Sequence, residues 1–315
     1  MPKNLNSDKG NIKTWSIVVH GGAGTLRPED YSEDEMTEYK EVLKQALSAG
    51  SEILKYQGSA VDAVAAAVCV MENSVLFNAG KGSVFAHHGK NEMDASIMNG
   101  ADLNSGAVSG VERIKNPILA AKAVLEHSVH RLFAGEGAQV FARQYGVETV
   151  NPSYFQEGKR WRQLQQMLVE NKSLLDHDAK KMGTVGSVAC DMSGHLAAAT
   201  STGGLTNKAA GRVSDSSIIG AGTYANDETI ALSATGTGDV FIKLNLAYDI
   251  HAQMKYQSLS AHEALTNSLS KLKFHGGNGG FIALDKNQNV FMPFISTGMF
   301  RGFLKSDGST EISIF

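Results

Sequence analysis

Apolar positions along the chain change period several times, and those changes mark out the elements. Residues 16–20 (Ser-Ile-Val-Val-His) are short and β-branched and run into Gly21-Gly22-Ala23-Gly24, the text of a strand entering a tight turn. Ser32 with Glu35 makes a capping box, behind which Tyr39, Val42, Leu43, Ala46, Leu47, Gly50, Ile53 and Leu54 recur at helical spacing. Residues 60–71 are rich in Ala and Val almost all round, which predicts a buried helix. Pro117 opens another helix, and helical text at 131–145 and 154–168 completes this half.

From 169 to 183 the sequence turns polar and reads as a surface linker. Strand text follows. Residues 185–190 and 196–200 flank Asp191-Met192-Ser193-Gly194 as a hairpin would, and 218–222 and 229–235 are further strands. A helix over about 239–256, a second capping box at Ser260 with Glu263, and a hairpin pairing 281–284 with 290–294 close the core. The order lacks the regular βα alternation of a doubly wound sheet, so the predicted class is α+β, with two sheets between helix layers.

Bulk composition narrows the function classes. With 29 Lys+Arg against 32 Asp+Glu and a net charge of -3, there is no electrostatic reason to expect nucleic acid or an anionic membrane as partner. Of 315 residues only two are cysteines, Cys69 and Cys190, each within an apolar run, which points to buried thiols in a reducing compartment. Residues 1–11 are polar, without the apolar stretch of a secretory signal, and no run of 18 apolar residues follows. A cytoplasmic enzyme is the expectation.

The candidate chemistry begins at Gly183-Thr184-Val185-Gly186, a threonine at a strand start just after the linker. Most such threonines are only β-formers. A Thr hydroxyl becomes a useful nucleophile when a base lies within hydrogen-bond reach, and a free α-amine on the same residue can be that base. An α-amine titrates near pH ~7.7 to 8.0, so much of it is neutral at working pH. Freeing it requires scission between Gly183 and Thr184, and Gly183 offers no side chain to obstruct attack by the Thr184 hydroxyl on its carbonyl.

Downstream, Arg212 and Asp215 stand three apart in Gly211-Arg212-Val213-Ser214-Asp215. They read either as an exposed ion pair worth ~0 to 1 kcal/mol or as a grip on an amino-acid head group, Arg holding the carboxylate and Asp the ammonium. Thr235 and Gly236, between strand and helix text, can offer a hydroxyl and an N–H to an oxyanion. His20, His87 and His88 lack metal-site spacing, and the turn at 21–24 lacks the spacing of a nucleotide loop.

Taken with His20-Gly21-Gly22-Ala23-Gly24, Phe77-Asn78-Ala79-Gly80, Met93-Asp94-Ala95, Ile114-Lys115-Asn116-Pro117 and Gly276-Gly277-Asn278-Gly279-Gly280, the stretch 183–249 resembles the plant-type asparaginase and isoaspartyl dipeptidase family. Nearly the whole chain takes part. The resemblance implies an N-terminal-nucleophile (Ntn) hydrolase with an αββα sandwich, made as a single-domain precursor that cuts itself into 1–183 and 184–315. It implies Thr184 as nucleophile supported by Thr202, Arg212 on the substrate carboxylate, Asp215 with Gly238 on its amine, Thr235 with Gly236 on the oxyanion, and Asn78 nearby. It also implies small substrates, L-asparagine and β-aspartyl dipeptides, a dimer of αβ heterodimers, and no organic cofactor. The loop between Met71 and Lys81 corresponds to one that often holds sodium by backbone carbonyls. Ser214, Ser217 and Asn278 depart from the family's usual glycine, proline and aspartate. Glycosylasparaginase-like and taspase-like hydrolases, and an uncleaved binding protein, remain as alternatives.

Overall fold

The computed structural model describes residues 14–170 and 183–315. Most of the expected linker, 171–182, lies outside them. The first half runs β1 (Ser16–Gly24), α1 (Glu33–Lys55), α2 (Ala60–Glu72), β2 (Met93–Asn99), β3 (Ser105–Val111), α3 (Pro117–His127), β4 (Leu132–Ala134), α4 (Gly135–Gln144) and α5 (Gly158–Val169). The second runs β5 (Val185–Cys190), β6 (Leu196–Thr202), β7 (Thr223–Ala225), β8 (Ile230–Gly236), α6 (Gly238–Leu244), α7 (Leu246–Gln257), α8 (Ala261–Phe274), β9 (Gly279–Asp285), β10 (Val290–Phe291), β11 (Gly298–Lys305) and β12 (Thr310–Ser313).

Both capping boxes form, Ser32 with Glu35 on α1 and Ser260 with Glu263 on α8. Each satisfies two backbone donors that a helix start leaves open. Helix α2 is the buried one, capped by Ser59, whose side chain accepts from Asp62 N. All nine residues of β1 are buried, which suits a β-branched strand covered on both faces.

The strands form two sheets, ordered β12-β11-β1-β5-β6-β2-β3-β4 and β10-β9-β8-β7. Pairing is antiparallel except between β3 and β4. Helices α1, α2 and α3 pack on the larger sheet, α7 and α8 on the smaller, and β5 and β6 of the first sheet meet β8 of the second. One apolar cluster joins Leu43, Val64 and Val68 to Ile97 and Val108, and a second joins Val188 and Ala198 to Leu232, Leu265 and Phe281. The second lies where the sheets meet. No helix among the described residues is long and apolar enough to cross a membrane.

Several expected elements differ. Text at 131–145 is not one helix: Leu132–Ala134 pairs with β3, and Gly135 at φ 54 turns the chain before α4. At 154–168 a short 3-10 turn, Pro152–Phe155, precedes α5. Residues 218–222 are turn, not strand, because Gly220 at φ 94 breaks the extended run before β7. The helix expected over 239–256 splits into α6 and α7 at Asn245, which sits at φ 49 in the left-handed region that Asn tolerates. The hairpin β11–β12, which edges the larger sheet through β1, is an addition to the expected set.

Register gathers one end of several strands. His20 faces Gly186 across β1 and β5, Val185 faces Ser201 across β5 and β6, and Thr202 faces Asp94 across β6 and β2. Thr184 therefore emerges beside Thr202.

Candidate active site

Thr184 lies at the mouth of β5 and is only 8% exposed. Gly183 before it is pressed between backbone and hydroxyl: a Cβ there would fall 2.6 Å from Thr235 Oγ1 and 2.9 Å from Ala23 N. From the other side, a Cβ on Gly22, whose φ is 112, would meet Gly183 Cα at 2.7 Å. Glycine is required at both positions for the two segments to touch.

Thr235, fully buried at the end of β8, accepts a hydrogen bond from Ala23 N at 3.1 Å, which leaves its own proton to donate. Gly236 follows at φ 142, and a Cβ there would strike the Asn278 carbonyl at 2.1 Å. Thr202 Oγ1 accepts from Gly204 N at 3.0 Å. Asn78 clamps the same turn. Its Nδ2 donates to Gly204 O at 2.7 Å, its backbone carbonyl accepts from Gly203 N at 3.0 Å, and its Oδ1 accepts from Val84 N at 3.0 Å.

The second group sits around Gly238, whose missing Cβ would lie 2.3 Å from Asp215 Oδ1 and 3.2 Å from Arg212 Nη2. Asp215 is 4% exposed and its Oδ2 has no hydrogen-bond partner among the described residues. Burial pushes its carboxyl up to about 7, with the Arg212 guanidinium opposing. The surface ion pair that the spacing allowed does not form; Arg212 Nη2 instead reaches Asp239 Oδ2 at 3.0 Å. Asp94 ties the segment down, its Oδ2 accepting from Ser214 N at 2.9 Å and its Oδ1 from Gly110 N at 2.9 Å. Ser217 Oγ lies 2.9 Å from Ser109 Oγ, whereas the buried Ser214 Oγ has no hydrogen-bond partner among the described residues.

The run Thr235-Gly236-Thr237-Gly238 joins the two groups, placing a hydroxyl beside Gly183 at one end and the Asp215 pocket at the other. A cavity of about 160 Å³ opens alongside, lined by Ala23, Gly24, Thr25, Gly236, Thr237 and Asn278 among others.

The loop after α2 packs its glycines against backbone carbonyls. A Cβ on Gly80 would lie 2.3 Å from Glu72 O, and one on Gly82 would lie 2.2 Å from Phe77 O and 2.7 Å from Val75 O. Backbone oxygens are the donor type that a hard cation takes. Arg160 takes two neighbouring carbonyls, donating from Nε to Gly82 O at 2.8 Å and from Nη2 to Leu76 O at 3.4 Å. Elsewhere His88, Glu92 and Glu112 bring ligand atoms within 4.8 Å of one another. Glu92 already accepts from Gly211 N, and Glu112 is paired with Lys90 at 3.2 Å, so those oxygens have partners.

The sequence profile of the asparaginase family matches residues 13–314. The chain belongs to the asparaginase family. It is similar to the isoaspartyl peptidase of Escherichia coli strain K12, 46% identical over 294 residues that span 91% of this chain and 92% of the relative. The isoaspartyl peptidase/L-asparaginase of Xenopus laevis is 41% identical over 92% of each chain. The plant-type L-asparaginase of Pyrococcus furiosus is 40% identical over 92% of this chain and 96% of its own. Like them, this asparaginase-family chain is a hydrolase.

Around the asparaginase-family motifs stand buried groups that spacing did not reveal. Glu72 is fully buried, accepts from Ser201 Oγ at 2.6 Å and Ile118 N at 3.0 Å, and is raised by burial to about 7. Lys208 is buried with Nζ donating to Glu92 O at 2.6 Å, and burial lowers its pKa. Their partners are 129, 46 and 116 residues away in sequence, so no local pattern announces them. Both cysteines are free, Cys190 buried and Cys69 half-buried.

Proposed function

We propose that the chain is a cytoplasmic isoaspartyl peptidase and L-asparaginase that cuts itself between Gly183 and Thr184 and then hydrolyses side-chain amides through Thr184. The observation that carries this reading is the contact of Gly183 with Gly22, Ala23 and Thr235, which leaves room for no side chain on the residue before the nucleophile. An αββα Ntn-hydrolase sandwich fits the two facing sheets and their helices, and a dimer of αβ heterodimers is the proposed assembly.

In processing, the Thr184 hydroxyl adds to the Gly183 carbonyl, the amide nitrogen leaves as the new α-amine, and water hydrolyses the resulting ester. The freed amine then takes the hydroxyl proton in each turnover. Arg212 holds the substrate carboxylate, and Asp215 with the Gly238 backbone holds its ammonium. Thr184 Oγ1 attacks the side-chain carbonyl while the Thr235 hydroxyl and Gly236 N–H meet the developing oxyanion. Protonated by the amine, ammonia or an amino acid departs toward the cavity beside Thr237 and Asn278. Water then releases aspartate. Thr202 supports the Thr184 hydroxyl and amine, and Asn78 fixes the turn after Thr202. Sodium would be held by carbonyls of the loop between Met71 and Lys81, where it would supply fixed positive charge to that backbone.

A denaturing gel with intact-mass analysis and Edman sequencing tests the scheme, and a smaller fragment starting anywhere but Thr184 would sink it. Gly183→Ala is expected to slow self-cleavage by roughly 10²-fold, the scale of a small misplacement of reacting atoms. A time course on gels reads it. Thr235→Val is expected to lower kcat of processed enzyme by ~10²-fold or more. An unchanged kcat would move the oxyanion site elsewhere.

A further inference from the structure

A file of buried hydroxyls runs between the two sheets, and the scheme above gives it no task. His20 Nε2 lies 2.8 Å from Ser233 Oγ, and Ser233 Oγ lies 2.7 Å from Thr200 Oγ1. Thr200 Oγ1 lies 2.6 Å from Thr223 Oγ1, which lies 2.9 Å from Ser96 Oγ. Ser96 donates to the Ser216 carbonyl at 2.6 Å. Each of these six residues is fully buried.

The file crosses β1, β8, β6, β7 and β2 and ends one residue after Asp215. Its first member faces Gly186, two residues after Thr184, where a Cβ would fall 2.0 Å from Ser233 Oγ and 2.4 Å from His20 Nε2. The imidazole and the Ser233 hydroxyl thus occupy the space that a side chain at 186 would take. Thr200 is two residues before Thr202, and Ser233 two before Thr235. The file therefore hydrogen-bonds the elements carrying the supporting threonine, the oxyanion threonine and the head-group aspartate to β1, whose His20 stands against Gly186 of the nucleophile's strand.

The contacts run from the Ser96 end: Ser96 has one proton to share between Thr223 and the Ser216 carbonyl, and Thr223 donates to Thr200. The contact between Thr200 and Ser233 can run either way, and Thr200 also reaches the Gly222 carbonyl at 3.3 Å. Burial lowers the imidazole pKa to about 3, with the Thr184 backbone opposing, so the ring is neutral at working pH.

We propose that His20, acting through this file, is a positioning residue that fixes the reach between the Thr184 nucleophile and the Asp215 head-group pocket. The inference rests on the roles given to Thr184 and Asp215. Breaking the file midway leaves the head group bound while its carbonyl sits wrongly for attack, so kcat falls and KM holds. Sub-ångström placement is worth that much, since a shift of about 1 Å costs up to ~10²-fold in rate.

The test compares Thr200→Val, Thr200→Ser and wild type after processing, with L-asparagine as substrate and thermal melting alongside. Valine keeps the shape and removes the hydroxyl; serine keeps the hydroxyl. The expected result is a kcat at least about tenfold lower for Thr200→Val with KM within about twofold, and recovery to within about twofold of wild-type kcat in Thr200→Ser. Wild-type kcat in a folded, processed Thr200→Val, or a serine variant as slow as the valine one, would overturn the inference. Should Thr200→Val not fold, Ser233→Ala, which removes the neighbouring hydroxyl of the file, is measured in the same way, and a wild-type kcat in that variant overturns the inference. An active Thr184→Ala would instead sink the underlying reading, which separates the two failures.

Discussion

Thr184→Ala is expected to remain one uncut chain and to show no hydrolysis of L-asparagine or β-aspartyl dipeptides. Both losses have one cause. Without the hydroxyl nothing attacks the Gly183 carbonyl, and without scission the α-amine stays in an amide that cannot accept a proton. Thr184→Ser and Thr184→Cys keep a nucleophile and are expected to cleave slowly. The packing of Gly183 against Ala23 N and Thr235 is backbone-driven and independent of the Thr184 side chain, so the alanine variant should keep its melting temperature. Intact mass, specific activity and a melting curve on one preparation check it, and a processed or active Thr184→Ala would end the proposal.

Blocking the substrate amine is expected to be nearly as damaging. N-acetyl-asparagine would set a neutral amide against Asp215, which is buried and has an unpartnered Oδ2. An unsatisfied buried charge costs roughly a few kcal/mol, so turnover should fall ~10²-fold or more, and α-Asp-Leu should likewise be inert beside β-Asp-Leu. Arg212→Lys keeps charge but loses the planar fork, so kcat/KM should drop while self-cleavage continues.

The same aspartate predicts a pH signature. In the free enzyme its carboxyl is raised by burial to about 7, so below that pH the pocket holds a neutral acid and must lose a proton to bind an ammonium. The acid limb of log kcat/KM should therefore be steeper than that of log kcat by about one unit per pH unit, the shared part belonging to the Thr184 amine. In the complex the ammonium keeps Asp215 ionised, so kcat should lack this added slope and show only that of the Thr184 amine. Acid limbs of equal slope in kcat and kcat/KM would remove Asp215 from the head-group site.

Legibility in the sequence followed the range of the interactions. Local devices read directly: the capping boxes at Ser32 and Ser260 and the buried Ala/Val helix all act within a few residues. The hairpin β11–β12 did not, because Gly298, Arg301 and Gly302 interrupt its alternation and its stability comes from pairing with β1, more than 270 residues away. Arg212 was legible as a candidate beside Asp215, but its bond to Asp239, 27 residues on, was not. His20 stood out in the sequence only within its motif and by a spacing that does not fit a metal site. It is a core residue, and only the hydroxyls of four distant strands show what it touches.

The sheet order has a bearing on how the cut molecule lives. Residues before the scission supply β1, β2, β3 and β4, and those after it supply β5, β6, β11 and β12. Strand β1 is therefore threaded between β11 and β5, each from the other fragment, with eight paired positions on one side and five on the other. The proposed scission would break one covalent bond and none of these ladders, so the two pieces would stay interleaved and should melt together in a single transition. Assembly is then a one-way event in the enzyme's history. A precursor folds at a rate independent of its concentration, whereas separated fragments must find each other, and their recovery should rise with concentration as a second-order process.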